Sequence, residues 1–330
     1  MNCSMGIYVR VWVMVTSAGL SAGLACGSEF YWVVTAGQNS NTRVLHGVAC
    51  DGLDTVSLYA PTGLPNDQWI ANPAVGPQGR LVFAVAGRHG WDRGPLYRGR
   101  INSDEFVSLA SGHVDLPAGG INWISGMDEV VFSNVGSGIH RIDVDPATND
   151  ETVITHNYFD EVLGVTTSNV VLFENSLHRT PDDLWTMNLD GSNVRGFDPF
   201  GDHEARNGAI SPDDQYVALC HQDIDGLFLS TIDAILLTPQ SQPLAAMPRR
   251  NSGNGWIAWS PDSETIGFIA DGDLWSVRRD GTQLQQITRG QFPDARVWGT
   301  YVPEPGTVAL LGMGGLCLLA YGWRWRKRRA

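Results

Sequence analysis

The chain has 330 residues, 43 % of them hydrophobic and only 17 % charged, with 38 glycines and 12 tryptophans. That composition excludes a largely disordered chain, which needs low hydrophobicity and high charge, and a coiled coil, which needs long Ala/Glu/Lys/Leu/Arg-rich stretches. The net charge is −13, but without Arg10 and the five C-terminal cations the body keeps 16 arginines, no lysine and 34 of the 35 acids, a balance of −18 that excludes nucleic acid as a partner.

Residues 1–25 read as a secretory signal peptide. One cation, Arg10, precedes the apolar run Val11–Val15 and the small residues from Ser17 to Ala25. Gly23 and Ala25 suit cleavage before Cys26, and Sec-type translocation follows from that reading. Gly23 stands where a lipoprotein signal needs a bulky aliphatic residue.

From residue 29 to residue 302 the pattern is a repeat. Phe30–Val34 reads as a strand with no turn motif before it, and Val44–Val48 and Thr55–Tyr59 read as its partners. Next come Val75-Gly76-Pro77-Gln78-Gly79-Arg80-Leu81-Val82-Phe83, then Ile124 to Phe132, then Val165 to Phe173. Ile210-Ser211-Pro212-Asp213-Asp214 leads into Tyr216–Leu219, and Trp259-Ser260-Pro261-Asp262-Ser263 into Thr265–Phe268. The closing apolar anchors fall at 83, 132, 173, 219 and 268, which is 41 to 49 residues apart. Each unit reads as strand, Pro-Asp turn, strand, loop, strand, Asp-Gly turn, strand. Asp190-Gly191 and Asp280-Gly281 read as type I′ hairpins.

Four short strands per ~45 residues is one blade of a propeller. These units resemble the WSPDG-type repeats of TolB-like β-propellers, and the resemblance runs over about residues 29–302. The sequence therefore predicts an all-β fold, a six-bladed β-propeller of four-stranded blades, with seven blades as the alternative. In this reading Ala295–Thr300 is an innermost strand that joins Phe30–Val34 in one blade, with Trp298 at the position of Trp259. Such a clasp removes the two open edges of an unclosed ring.

Residues 303–330 form a tripartite end. Val302, Pro303, Glu304, Pro305 and Gly306 precede an apolar stretch, 307–323, and then the basic cluster Arg324, Arg326, Lys327, Arg328 and Arg329. As a helix, 307–323 rises roughly 25 Å, just short of a bilayer core, and the cations hold its end in the cytoplasm. An ordinary C-terminal anchor would share this pattern. The segment resembles the PEP-CTERM sorting signal. That resemblance implies an exosortase as partner, removal of the tail after transient membrane anchoring, and delivery to the cell surface or extracellular matrix.

Chemistry-bearing residues are sparse. His89, His140, His178 and His221 each follow the second strand of a different blade, so together they are candidates for a divalent metal site. Some propeller pectin lyases of this repeat type use a histidine-held metal. Trp91, in the Gly87–Gly94 loop, is the candidate exposed aromatic for a carbohydrate ligand, while Trp69 and Trp123 fit the repeat less well. Cys26 and Cys50 could pair, and Cys220 reads as a buried thiol. Asp202–Glu204, Asp223–Gly226 and Asp271–Asp273 read as hydrophilic turns that resemble fragments of calcium loops. No nucleophile elbow, P-loop or dinucleotide fingerprint occurs. The functional expectation is an exported, non-enzymatic binding or structural module with no cofactor, its candidate partners extracellular polysaccharide or another surface protein. The alternative is a metal-dependent polysaccharide lyase or hydrolase.

Overall fold

The computed structural model describes residues 30–35, 44–64, 68–86, 94–114, 120–134, 137–145, 150–156, 160–175, 184–197, 205–221, 226–231, 242–246, 257–292 and 296–302. These residues form 24 strands. β1 (Tyr31–Thr35), β2 (Leu45–Ala49) and β3 (Thr55–Tyr59) come first. Four strands follow as one sheet: β4 (Trp69–Val75), β5 (Arg80–Ala86), β6 (Gly94–Arg100) and β7 (Phe106–Val114). The next sheet is β8 (Asn122–Trp123), β9 (Glu129–Asn134), β10 (Gly138–Asp143) and β11 (Glu151–Val153). Then come β12 (Asp160–Val165), β13 (Val170–Asn175), β14 (Leu184–Asn188) and β15 (Arg195–Phe197). They are followed by β16 (Ala205–Ile210), β17 (Tyr216–His221), β18 (Gly226–Thr231) and β19 (Gln242–Ala246). The last consecutive sheet is β20 (Ile257–Trp259), β21 (Thr265–Ala270), β22 (Asp273–Arg278) and β23 (Gln285–Gln286). β24 (Arg296–Tyr301) ends the described chain.

Six four-stranded antiparallel sheets result, and in five of them the strands pair in chain order. The exception runs β24-β1-β2-β3 and draws on both ends of the chain. Tyr31 pairs with Tyr301, Trp32 with Thr300 and Val33 with Gly299, so the expected clasp is formed.

Middle strands such as Leu81–Val85 and Val217–Cys220 are continuous apolar runs rather than alternating ones. Each blade is covered on both faces by its neighbours, and a strand buried on both sides needs apolar residues on both. Outer strands are different: Glu151–Val153 is exposed throughout.

The core is divided into six wedges, one between each pair of successive sheets. Leu45, Tyr59, Leu81 and Phe83 fill the first, and Val82, Leu96, Val130 and Phe132 the second. Val131, Ile139, Val171 and Phe173 fill the third, and Leu172, Leu184, Val217 and Leu219 the fourth. Cys220, Leu227, Ile266 and Phe268 fill the fifth. The sixth joins the last consecutive sheet to the clasp sheet, with Trp32, Val34 and Val297 against Ala258, Leu274 and Ile287. The ring is closed by packing as well as by the β1–β24 pairing, and no seventh sheet enters it among the described residues.

Two local expectations need correction. Gly191 N–H donates to the Asn188 carbonyl and Asn188 N–H to the Ser192 carbonyl, with Gly191 at φ 81°. Arg278, Gly281 and Thr282 repeat the arrangement, with Gly281 at φ 80°. These are three-residue loops, a turn followed by a left-handed glycine, not type I′ hairpins. A type I′ turn would also need positive φ at Asp190 and Asp280, and neither has it. The two-residue type I′ turn is Asp271-Gly272 (φ 52° and 78°), directly between the paired Ala270 and Asp273.

The second correction concerns Trp298. Gly299 pairs with Val33 and Val297 with Val34, which leaves Trp298 as the extra residue of a β-bulge. In the corresponding sheet Gly208 pairs with Leu219 and Arg206 with Cys220, so Asn207 is the bulged residue there. Thr300, not Trp298, stands where Trp259 stands: it pairs with Trp32 as Trp259 pairs with Ile266, and both reach the preceding blade. The bulge inserts one residue that the distance from the preceding turn could not reveal.

Candidate functional site: the central channel and its turn rim

The first strand of every sheet lies innermost: β4, β8, β12, β16, β20 and β24. Together they wall a cavity of about 300 Å³. Small residues keep it open. Gly164 and Gly208 follow bulged residues of β12 and β16, as Gly299 does in β24. A Cβ at Gly164 would stand 2.9 Å from Ile210, and one at Gly208 2.9 Å from Leu219, so neither position has room for a side chain.

Most of its side chains are apolar, with Val75, Val165, Ile210, Trp123, Trp259 and Val297 among them, yet the surface facing the cavity is more polar than apolar. Its polar side chains are few. Asn122 Nδ2 donates to the Gly120 carbonyl at 3.3 Å. Thr300 Oγ1 donates to the Trp259 carbonyl at 3.3 Å, tying the clasp strand to β20. Glu161 is the ionisable residue among the described lining residues.

Two tryptophans at the ends of their strands bridge blades. Trp259 Nε1–H donates to the Ala209 carbonyl at 2.8 Å, and Trp123 Nε1–H to the Ala74 carbonyl at 3.1 Å. Each indole reaches back to the innermost strand of the preceding sheet. Trp123 lies over Gly76, where a Cβ would collide with the ring, and the Arg80 guanidinium sits 4.9 Å above it. Tyr216 lies 6.4 Å from Trp259, with the Arg279 guanidinium 5.2 Å from Tyr216. Trp123 is thus a repeat residue after all. The sequence holds the signal, since Trp123 precedes Phe132 by the same nine residues that separate Trp259 from Phe268.

Next to the indoles, at the same end of the channel, lies a belt of turns. Ser260 Oγ accepts from Thr265 N–H at 2.8 Å and donates to Asp262 Oδ1 at 2.6 Å. Ser211 does the same with Tyr216 N–H (2.9 Å) and Asp213 (2.6 Å). The third residue after each serine, Ser263 or Asp214, sits at positive φ. Neighbouring turns are linked: Asp213 N–H donates to Ser263 Oγ at 3.0 Å, and Thr167 N–H to Asp214 Oδ2 at 2.7 Å. Arg279 reaches Glu264 at 2.8 Å and Asp213 at 3.6 Å. The Ser-Pro-Asp motif therefore joins blades, and its carboxylates are already engaged by the chain's own donors.

The other sequence candidates fall as follows. His140 is buried in β10, the third strand of its sheet. Its Nδ1 lies 2.6 Å from Glu151 Oε1 and its Nε2 2.8 Å from Ser137 Oγ, so both ring nitrogens are held within their own blade, away from the channel. His221 ends β17, opposite Ala205. His89, His178 and Trp91 lie outside the described residues. Among the described residues no group of three or more His, Cys, Asp or Glu is placed to hold a metal ion. Asp273 accepts from Gln286 Nε2, Thr288 Oγ1 and Gly290 N–H, which occupies both its oxygens in closing its own blade. Asp202–Glu204 and Asp223–Asp225 lie outside the described residues, as does Cys26. Cys50 is half-buried and Cys220 buried. The His46 ring lies 5.1 Å from that of Phe292, tilted by 50°, and burial lowers its pKa below the usual imidazole value.

At the end of β24, Val302 is 48 % exposed. The expected apolar helix 307–323, the motif residues Pro303–Pro305 and the basic cluster lie outside the described residues, and no helix among the described residues is long and apolar enough to cross a membrane. Residues 302–329 match the family model described as the PEP-CTERM protein-sorting motif. The chain carries a PEP-CTERM tail. This PEP-CTERM segment implies export, membrane anchoring through the C-terminal region and processing by an exosortase.

No curated protein matches the chain. Solved structures match the propeller. TolB from Acinetobacter baumannii is similar at 14 % identity and a TM-score of 0.62, over 83 % of this chain and 67 % of TolB. A chain of a nidogen/laminin complex is similar at 7 % identity and 0.60, over 82 % of this chain and 96 % of that one. An auxiliary nutrient binding protein from Bacteroides thetaiotaomicron matches at 10 % identity and 0.50, over 78 % and 64 %. These likenesses show the fold: an all-β, TolB-like propeller of four-stranded blades that precedes the PEP-CTERM tail.

Proposed function

We propose that the mature protein is a surface- or matrix-associated binding module that is released by exosortase processing and takes part of its partner into the central channel. One observation carries the reading. All six innermost strands contribute to the wall of one cavity, and that wall sets apolar side chains beside a somewhat larger polar surface. Concave sites that combine apolar lining with a few placed polar side chains are the usual form of a binding pocket. Glu161, Asn122 and Thr300 would orient the occupant.

The test is a glycan and envelope-protein array probed with the processed protein, alongside Val165→Arg. Val165 lines the channel, so a cation there should abolish capture of any partner held in the channel while thermal melting changes little. Capture that survives Val165→Arg would place the binding surface elsewhere. Metal analysis of the same preparation addresses the alternative of a metal-dependent lyase. Stoichiometric bound metal together with chain cleavage of a polysaccharide would replace this reading.

A further inference from the structure

In five sheets the innermost strand runs into the second strand through a covalent turn: 76–79, 124–128, 166–169, 211–215 and 260–264. In the clasp sheet those two strands are β24 and β1, and no turn joins them. Tyr301 pairs with Tyr31, and the chain leaves at exposed Val302 in the place where the other sheets turn. The chain also enters β1 through Phe30 at this same rim. The sorting motif begins at once: four residues, 303–306, separate Val302 from the apolar run that starts at Thr307.

We infer that the rim of innermost-to-second strand turns is the face that the propeller holds against the membrane while the tail is anchored, and that the opposite rim is the face presented outward. The geometry is short-range. The steps from Val302 to Thr307 extend at most about 18 Å at ~3.5 Å per residue. Two of the intervening residues are prolines, which fix φ and stiffen the connection. A six-residue strand spans about 20 Å, so the far rim stands roughly that much further from the bilayer. The tether is too short for the propeller to turn over. Two consequences follow. The processing enzyme meets its substrate beside the belt of Ser-Pro-Asp turns. The channel mouth flanked by Trp123, Trp259 and Pro212 faces the membrane until the tail is removed. This inference rests on the strand ends and the sorting motif, and not on the proposed binding function.

The test uses the full, unprocessed chain in phosphatidylcholine vesicles that contain no processing enzyme and carry acceptor-labelled lipid. A fluorescent non-natural residue replaces Ser168 or Gln215 on the turn rim, or Asp271 or Gln291 on the opposite rim. All four positions belong to described turns or loops, and melting curves confirm that each variant is folded. Energy transfer to the lipid should be at least about twofold greater from Ser168 and Gln215, given the ~20 Å between rims. A 20-residue Gly/Ser insertion after Val302 should remove that difference. Equal transfer from the two rims in the parent, greater transfer from Asp271 and Gln291, or a difference that persists in the insertion variant would each overturn the inference.

Discussion

The last consecutive blade, β20 to β23, and the clasp blade, β24 with β1 to β3, have the same sheet order and are held by different means. In the consecutive blade Ser260, Asp262 and Thr265 close the first turn locally, and Asp273 binds the chain back through Thr288 and Gly290. In the clasp blade the innermost strand has no covalent link to its neighbour. It depends on pairing between residues about 270 positions apart, a loop whose closure entropy is met only because the other five sheets already bring the ends together. The clasp should therefore be the point where the ring yields, and local turns should matter less than their hydrogen bonds suggest.

The largest expected effect comes from removing the clasp strand. A chain that ends at Gly290 loses β24, Phe292 and Val297, opens the sixth wedge and exposes the edge of β1. Its loss of stability should exceed the ~3–5 kcal/mol of a single large core truncation, and it should aggregate on heating. Calorimetry and light scattering beside the 29–302 body measure this. If the two melt together, the ring does not need its clasp.

Next is the wedge between the clasp and its neighbour. Trp32 is fully buried, lies edge-on to Phe30 at 5.0 Å, and is met by any Cβ added at Gly267 at 2.7 Å. Trp32→Ala should cost ~3–5 kcal/mol through the cavity it leaves, and Gly267→Val ~1–3 kcal/mol through overpacking. Denaturant midpoints would show both. A Gly267→Val protein as stable as the parent would mean that the two blades are not packed this closely.

A smaller effect belongs to the Ser-Pro-Asp turns. Ser260→Ala leaves the Thr265 N–H without its acceptor and should cost ~1–3 kcal/mol, and Ser211→Ala about the same. If either costs as much as Trp32→Ala, the contrast between local turns and the clasp fails.

The smallest effect depends on pH. His46, on β2 of the clasp blade, has its pKa lowered by burial, so the unfolded chain binds the proton more readily. Its contribution is fully present above the unfolded value near 6.5 and declines as pH falls below it toward the folded value. Melting temperature should fall modestly from pH 7 to pH 5, and His46→Gln should flatten that slope. An unchanged slope in the variant would remove His46 as the source. Asp190 and Asp280 act only at more acid pH. Hydrogen bonds from Ser192 and Thr282 hold their carboxyls below the usual range, so their contribution is lost only as pH falls below about 4, through those lowered values.

Much of this molecule was determined by the sequence alone. The repeat at 41–49 residues, the all-β class, the clasp pairing and the sorting tail can be read directly, because each depends on local residue type: apolar runs, turn residues and a short motif with fixed neighbours. Tertiary structure decided the rest. Thr300, not Trp298, holds the place of Trp259, because Trp298 is bulged out of the pairing and no local pattern marks an unpaired residue. Asp271-Gly272 and Asp280-Gly281 share a dipeptide but form different turns, since the pairing of Ala270 with Asp273 leaves two residues between the strands whereas the Arg278 to Thr282 bond leaves three. His140 left the candidate metal set because its blade supplies Ser137 and Glu151 to both ring nitrogens. The channel was invisible in the sequence for the same reason: its wall takes a few residues from each of six strands, and only closure of the ring brings them to face one space.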